Sequence, residues 1–362
     1  MNRLKSLGWS PYFERQIDRA AESHLSIARV AEEQRGHYRV QAEAGEWRAE
    51  LSGRFRHDAA LPGAGAAYPA VGDWVLVHLP GPTPEHGAAR IERLLERRTK
   101  FSRKEAGNRS AEQVIAANID TVFLVQSLNR DLNLRRLERY LALLWESGAE
   151  PVVVLSKADL CADREAAVAE VEAVAHGVSV LVLSAVTGEG LEDVGRYLGE
   201  GATVALVGSS GVGKSTLVNA LLGEERMAVR DIREDDRGRH TTSSRHLIVL
   251  PRGGILIDTP GMRTVILWEG EEGIETTFGD IEALASACRF TDCTHDSEPG
   301  CAVQAALADG TLEAARYRSY RKLLREAQRQ ARKTDVHLRR EEQRRWRRIY
   351  MEHRRRPDKR SV

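Results

Sequence analysis

The stretch GSSGVGKST, running from Gly208 to Thr216, decides how this chain of 362 residues is read. Gly208, four residues and then Gly213-Lys214-Ser215 is the spacing of a phosphate-binding loop. Its glycines let backbone N–H groups wrap phosphate oxygens, Lys214 neutralises the β and γ oxygens, and the Ser215 hydroxyl ligates Mg²⁺. The setting fits the string. The apolar run TVALVG (203–208) predicts a strand before it, and STLVNALLG (215–223) a helix after it whose N-terminus also faces the phosphates. An ordinary glycine-rich turn has no such surroundings. Ser209, Ser210, Gly211, Val212 and Thr216 complete the candidate loop.

Downstream, LIDTPG (256–261) puts Asp258 at the end of an apolar strand, where an acid holds Mg²⁺ through water, and lets Gly261 offer its N–H to a γ-phosphate. Between the two, GRHTTSS (238–244) supplies Thr241 and Thr242, either able to close on the metal when the γ-phosphate is present. That pairing is a switch, in which the terminal phosphate orders loops that relax on hydrolysis. Upstream, LSKADL (155–160) places Ser156, Lys157, Ala158 and Asp159 at the end of a buried strand. Asp159 can accept two hydrogen bonds from guanine N1–H and its 2-amino group, which adenine cannot offer. Ser184-Ala185, ending the next strand, suits a backbone contact to the guanine carbonyl. All these strings fall at the carboxyl ends of parallel strands, where open α/β sheets bind ligands. The expected ligands are GTP and GDP with Mg²⁺; Asp159 argues against an ATP-using enzyme of the same loop class.

Their order is unusual, because the base-reading strings precede the phosphate loop. The site is expected to be that of a GTPase domain circularly permuted, with the chain cut elsewhere. Its sheet is read from near-continuous apolar runs, TVFLVQSL, PVVVLSKADL, VSVLVLSA and TVALVG, separated by helical stretches such as LRRLERYLALLWES. Strand and helix in alternation predict a parallel sheet covered on both faces. RHLIVL and GGILID, joined by PRGG, read as a hairpin at the sheet edge.

Ahead of this domain, HYRVQAE, EWRAELSGRF, VGDWVLVHL and ARIERLLE alternate and are separated by turn-rich stretches, which predicts a small β-barrel. Tyr38, Trp47, Phe55 and Trp74 could stack on bases, but each falls in an alternating pattern and reads as barrel core. Beyond the GTPase pattern, CRFTDCTHDSEPGC (288–301) offers Cys288, Cys293, His295 and Cys301. Three sulfurs and an imidazole fill a tetrahedral zinc shell with no open position, which argues for a structural Zn²⁺ site. Cys161 reads as a lone thiol near the base loop.

Four cysteines, three of them in that one cluster, point to a reducing compartment rather than a disulfide framework. No apolar run reaches the roughly 18 residues a membrane span needs, and the first residues, MNRLKSLGWSPYFERQ, carry no signal-peptide pattern. A cytoplasmic protein without a membrane partner is expected. The net charge of +1 hides an asymmetry: from Tyr317 to Val362 there are 18 Lys and Arg against 6 Asp and Glu. Such a basic block suggests a polyanionic partner, with a solvated charged helix as the alternative.

In this combination the chain resembles the RsgA (YjeQ) family of small ribosomal subunit biogenesis GTPases over nearly its full length. The matching stretches include YPAVGDWV, EQVIAANID, LRRLERYL, LSKADL, GSSGVGKSTLVNAL, GRHTT, IDTPGMR and CRFTDCTHDSEPGCAV. The resemblance implies a multidomain protein: an N-terminal OB-fold (1–105), a circularly permuted α/β P-loop GTPase domain (106–280) and a C-terminal α-helical zinc-binding domain with a basic tail (281–362). It implies a monomer that binds the small ribosomal subunit and its rRNA and hydrolyses GTP in late maturation, slowly alone and faster on the subunit. Two departures stand out. Ser156 replaces the usual asparagine of the guanine motif and cannot offer the same amide bridge between base and phosphate loop, so weaker affinity is expected. Met262 stands where many GTPases carry a water-orienting glutamine, so intrinsic hydrolysis is expected to be slow. Lys214 remains the phosphate-site cation, and His240 is the candidate substitute for the glutamine, a structural role standing equally open. Met262 also keeps alive an RNA-binding scaffold whose bound guanine nucleotide scarcely turns over.

Overall fold

The computed structural model describes residues 2–34, 36–59, 68–104, 112–129, 132–223, 245–251, 253–258 and 271–334. After the short helices Asn2–Ser6 and Pro11–Glu14, the described residues give β1 (Ser26–Gln34), β2 (His37–Ala42), β3 (Gly45–Leu51), β4 (Trp74–His78) and β5 (Ala89–Leu94). They pair in the order β1-β2-β3-β5-β4, and β4 returns antiparallel to β1, so the sheet closes on itself. This is the ring of an OB-fold barrel. Period-two burial along β2 and β3 turns Val40, Trp47 and Ala49 inward against Val30, Val75 and Ile91.

All four aromatic residues weighed above as base-stacking groups are buried, but two differ from expectation in place. Phe55 lies on the helix Gly53–Ala59 rather than in a strand, because the Ser52 hydroxyl accepts from the Phe55 N–H at 3.1 Å and starts a helical turn. Trp74 faces away from the barrel interior, packing with Leu4, Leu7 and Phe13 of the N-terminal segment.

Two short strands, β6 (Lys100–Lys104) and β7 (Glu112–Ala117), form a hairpin between barrel and main sheet. Then follow β8 (Thr121–Ser127), β9 (Glu150–Ser156), β10 (Ser179–Val182), β11 (Thr203–Val207), β12 (Arg245–Val249) and β13 (Ile255–Asp258). The spatial order is β10-β9-β8-β11-β13-β12, parallel except for β12. β8 is buried along its whole length, as its unbroken apolar run requires. One face is covered by Leu137, Leu141 and Val171 of the intervening helices, the other by Leu217, Val218 and Val194.

The hairpin of β12 and β13 forms as read, but β12 is not an edge. Barrel strand β1 pairs antiparallel with it, Glu32 opposite His246, so barrel and main sheet are continuous. The exposed row of backbone donors and acceptors that an edge would leave is thereby used. Arg29, on β1, pins the same junction from inside. Its buried guanidinium donates to the carbonyls of Leu7 (2.5 Å), Gly72 (3.1 Å) and Asn118 (2.9 Å) and to Thr203 Oγ1 (2.9 Å). Burial pulls its pKa down to about 10, so it stays charged. Gly72 is needed there: φ is +92°, and a Cβ would lie 2.2 Å from the Ala117 carbonyl oxygen.

After the sheet come helices Glu271–Thr277, Gly279–Ser286, Ala302–Asp309 and Ala314–Thr334. Their apolar residues Ile274, Phe278, Val303, Tyr320 and Leu323 share one core with Leu137, Tyr140 and Leu141 of helix Leu134–Glu146. Gly273 allows the contact, since a Cβ there would meet the Ala142 carbonyl at 2.0 Å. Arg316 is buried between Glu138 (3.0 Å) and Asp280 (2.6 Å), tying this region to the sheet's covering helix. No described helix is long and apolar enough to cross a membrane.

Candidate nucleotide site and metal centre

The phosphate loop grows out of β11, and helix Lys214–Leu222 follows it. Backbone geometry explains its glycines: Gly208, Gly211 and Gly213 all have positive φ. Gly208 also runs against β8, where a Cβ would approach the Val125 carbonyl to 2.3 Å. Lys214 Nζ donates to the carbonyls of Gly208 (2.8 Å) and Ser209 (2.6 Å), so its ammonium is held at the loop itself. Ser215 and Thr216 lie in the helix's first turn. Asp258 ends β13 in register with Leu206, two residues before the loop begins.

The base-reading residues converge on this loop. Ser156 ends β9, and its buried hydroxyl lies 2.5 Å from the Val212 carbonyl and 3.1 Å from that of Gln126. Lys157 takes a left-handed conformation (φ +59°) and its Nζ donates to the Gly211 carbonyl at 2.6 Å. Ser156 cannot make the amide bridge from base to loop that the usual asparagine makes, but its hydroxyl still reaches the loop at the Val212 carbonyl. Asp159 follows on an exposed turn, Ala158–Leu160, tied to the next strand by the Ala158 N–H donating to Leu183 at 3.1 Å. Ser184 is buried and braced by Glu189 and Gly188 backbone bonds, leaving Ala185 beside it at the rim. One sheet end thus gathers Ser156–Asp159, Ser184-Ala185 and Gly208–Thr216. His240, Thr241, Thr242 and Gly261, like Met262, lie outside the described residues, as does the Asp258 side chain.

The cysteine cluster is assembled as its spacing suggested. Ligand atoms of Cys288, Cys293, His295 and Cys301 all lie within 4.8 Å of one another, a group that could hold a metal ion. Cys288 and Cys301 sulfurs are 3.9 Å apart, and each is 3.5 Å from His295 Nδ1. A tetrahedron with Zn–S near 2.3 Å and Zn–N near 2.0 Å has edges of roughly 3.8 and 3.5 Å, so the donor set fits that ion. Burial holds the Cys293 thiol up at about 11. Burial also acts on Cys288, but the Ala302 and Val303 N–H groups at a helix start more than offset it and lower the pKa, as a thiolate ligand needs. His295 sits at φ +58°, its carbonyl held by Gln304 Nε2 (2.5 Å) and the Tyr317 hydroxyl (3.1 Å). Around it Glu298 accepts from Thr294, Asp296 and Ser297, and those bonds, Thr294 foremost, take its carboxyl down to about 2.

A family model described as RsgA GTPase matches residues 94–268. The "Small ribosomal subunit biogenesis GTPase RsgA" of Opitutus terrae is 47% identical, over 96% of this chain and 96% of that protein. "Small ribosomal subunit biogenesis GTPase RsgA 2" of Vibrio parahaemolyticus is 48% identical over 90% of this chain and 86% of its own. This chain belongs to the RsgA GTPase family. Among solved structures, YjeQ from Thermotoga maritima superposes with a TM-score of 0.61 at 28% identity, covering 84% of this chain and 98% of that one. YloQ, described as a circularly permuted GTPase, superposes with a TM-score of 0.58 over 86% of this chain and 98% of its own, at 24% identity. As a member of the RsgA family the protein is a GTP hydrolase, and the permuted order of its motifs is that of its fold.

This RsgA-family site contains one residue that motif reading missed. Arg136 Nη1 donates to Ser209 Oγ, inside the phosphate loop, at 2.6 Å. Its position was open to inference in principle, because the helix after β8 must start beside the loop that follows neighbouring β11.

Proposed function

We propose that the chain binds GTP at the sheet end described above and hydrolyses it to GDP and phosphate on the small ribosomal subunit, in late maturation of that particle. The observation that carries this reading is the convergence of Ser156 and Lys157 on carbonyls of the loop Gly208–Thr216, which joins a base-reading turn to a phosphate cradle. In it Asp159 and the Ala185 N–H read guanine, while backbone N–H groups of the loop and Lys214 take the phosphates. Mg²⁺ enters with GTP, held by Ser215 with Thr241 or Thr242 and Asp258, and neutralises phosphate charge. His240 orients the attacking water in place of a glutamine, and Gly261 senses the γ-phosphate. The subunit partner is supported by the relatives in Opitutus terrae and Vibrio parahaemolyticus, which are named small ribosomal subunit biogenesis GTPases.

The working unit is a cytoplasmic monomer with an OB barrel to about residue 105, the GTPase domain to about 280 and a zinc-binding domain beyond. One structural Zn²⁺ is held by Cys288, Cys293, His295 and Cys301, and it fixes the loop that the helix Ala314–Thr334 packs against. The barrel and the basic C-terminal stretch contact rRNA. Phosphate release from GTP, followed with and without purified small subunits, tests the proposal. Stimulation by subunits is expected; an unchanged rate would overturn it.

A further inference from the structure

We propose that helix Leu134–Glu146 carries the small subunit's stimulus to the phosphate loop, gripping the C-terminal helix Ala314–Thr334 through Arg135 and Arg139 and touching the loop at Ser209. That the subunit stimulates hydrolysis, with helix Ala314–Thr334 in the basic stretch that meets rRNA, is the function proposed above, on which this route rests. The exposed cations Arg318, Lys322, Arg325 and Arg329 of that helix are where a polyanion takes hold.

Arg135, Glu138 and Arg139 stand three and four residues apart, on one face of helix Leu134–Glu146. Arg135 lies 2.6 Å from Glu313, Glu138 lies 3.0 Å from buried Arg316, and Arg139 lies 2.5 Å from Glu326. One turn, about 6 Å, separates the two arginines, whereas Glu313 and Glu326 are separated by about 20 Å of helix. The shorter helix therefore crosses the longer one and holds it on both sides of the crossing. Leu137, Tyr140 and Leu141 share one core there with Tyr320 and Leu323. A grip on one side would let the longer helix turn about its contact. Held on both sides, the two helices turn together.

The other end of the same helix meets the nucleotide site. Asn133 caps it by accepting from the Arg136 N–H at 3.0 Å, and Arg136 Nη1 donates to Ser209 Oγ at 2.6 Å. The Ser209 carbonyl accepts from Lys214 Nζ at 2.6 Å. Ser209 is thus held by the helix through its side chain and by the phosphate-site cation through its backbone. Turning the helix shifts the loop together with Lys214, at the place where phosphate charge builds during hydrolysis. A coupling expressed in rate need not appear in binding. The Arg139 and Glu326 side chains are 30% and 33% exposed, and ion pairs so placed add little to folding. Their pair can be broken with the fold intact.

The test uses the full-length protein with purified small subunits and compares Arg139→Gln, Glu326→Gln, the two together and Arg139→Lys. Basal GTP hydrolysis, hydrolysis at saturating subunits, GDP affinity and subunit affinity are measured. Arg139→Gln is expected to keep the basal rate and GDP affinity within about twofold and to cut the subunit-stimulated rate about 5- to 10-fold. Glu326→Gln is expected to cost the same, and the double variant no more than either. Arg139→Lys, which keeps the charge, is expected to recover most of the stimulated rate. If Arg139→Gln folds poorly, Glu326→Gln is judged by the same measures. Wild-type protein without stimulation overturns the function proposed above and this route with it. Wild-type and Arg139→Gln proteins stimulated equally overturn the route alone. So does a stimulated rate that falls only in step with the basal rate, or costs of the two substitutions that add, because then the pair carries nothing between the helices.

Discussion

The Ser156 hydroxyl lies 2.5 Å from the carbonyl of Val212, so the base-reading strand and the phosphate loop hold each other directly. The contact is buried, and removing it leaves a loop carbonyl without its donor. Ser156→Ala is expected to cost about 1–2 kcal/mol of nucleotide binding, roughly 5- to 30-fold. The loss should be equal for GTP and GDP, because Val212 belongs to the part of the loop common to both. Titration with fluorescent GDP and a non-hydrolysable GTP analogue checks this; unchanged affinity would show the bond to be idle.

On the proposed reading, base choice rests on a different residue. Asp159 stands on an exposed turn and has no hydrogen-bond partner among the described residues, so its carboxylate is available to guanine. Asp159→Asn exchanges an acceptor for a donor and should move preference toward xanthine, whose 2-position is a carbonyl. Guanine affinity is expected to fall about 100-fold, in line with loss of a charge-assisted pair of bonds worth about 3 kcal/mol. Competition between GDP and xanthosine diphosphate measures it, and retained guanine preference would refute the assignment.

The glycine-rich loop, the turn Ala158–Leu160 and the Cys/His cluster were legible in the sequence as candidates because each is local, its members within 14 residues of one another. The strands were legible because burial on two faces demands unbroken apolar runs. What could not be read were the long-range arginines. Arg136 meets Ser209 across 73 positions, Arg29 meets Thr203 across 174 and Arg316 meets Glu138 across 178. Each looks in sequence like one more surface charge. The β1–β12 pairing was hidden for the same reason, since no local pattern says which edge a barrel strand will seek. Phe55 was misplaced by a short-range competitor, the Ser52 cap.

The buried pair of Arg316 and Glu138 makes a stability prediction. Arg316→Ala removes the buried cation shared by Glu138 and Asp280, leaving Glu138 only the partly exposed Arg135, and should destabilise the protein by about 3 kcal/mol. Burial already raises the Glu138 carboxyl, so the variant should recover stability as pH falls and Glu138 takes up a proton. The sign follows from linkage: a carboxyl raised in the folded state contributes stability below its folded pKa and loses it above. Thermal melts of both proteins from pH 5 to 8 should show their difference narrowing toward pH 5. A gap that widens there would contradict it.

Removal of the proposed zinc tests another joint. Chelation, or Cys293→Ala, should abolish stoichiometric zinc and open the loop between Ala287 and Gly300 to proteases. Helices Glu271–Thr277 and Gly279–Ser286 should persist, because Ile274, Phe278 and Ile281 sit in the core shared with Leu137 and Leu141. GDP affinity should stay within about twofold, as no candidate nucleotide residue among the described residues touches the cluster. Metal analysis with limited proteolysis decides it; an intact loop in metal-free protein would show that the ion is dispensable for that fold.

Helix Ala314–Thr334 presents two faces that should separate folding from binding. Arg316, Tyr320, Leu323 and Ala327 form its buried stripe, while Arg318, Lys322, Arg325 and Arg329 form an exposed basic one. The basic stripe lines a groove of about 450 Å³ together with Asp296, Tyr317, Arg321 and Glu326. Arg321 is left out of the test because it holds the metal loop through the Thr294 carbonyl at 2.7 Å. Replacing the four exposed cations by glutamine should leave the melting temperature nearly unchanged and weaken small-subunit binding at low salt. Phosphate contacts release counterions, so the slope of log affinity against log salt should become shallower by roughly one for each cation that contacts phosphate, up to about four. The GTP-versus-GDP difference in subunit affinity should survive, since that difference originates at the γ-phosphate and must be matched by an equal effect of the subunit on GTP affinity. Binding measured at several salt concentrations, in both nucleotide states, checks all three outcomes. A salt slope unchanged by the four substitutions would remove this face from the interface and leave the barrel and the stretch after residue 334 as its remaining basic contacts.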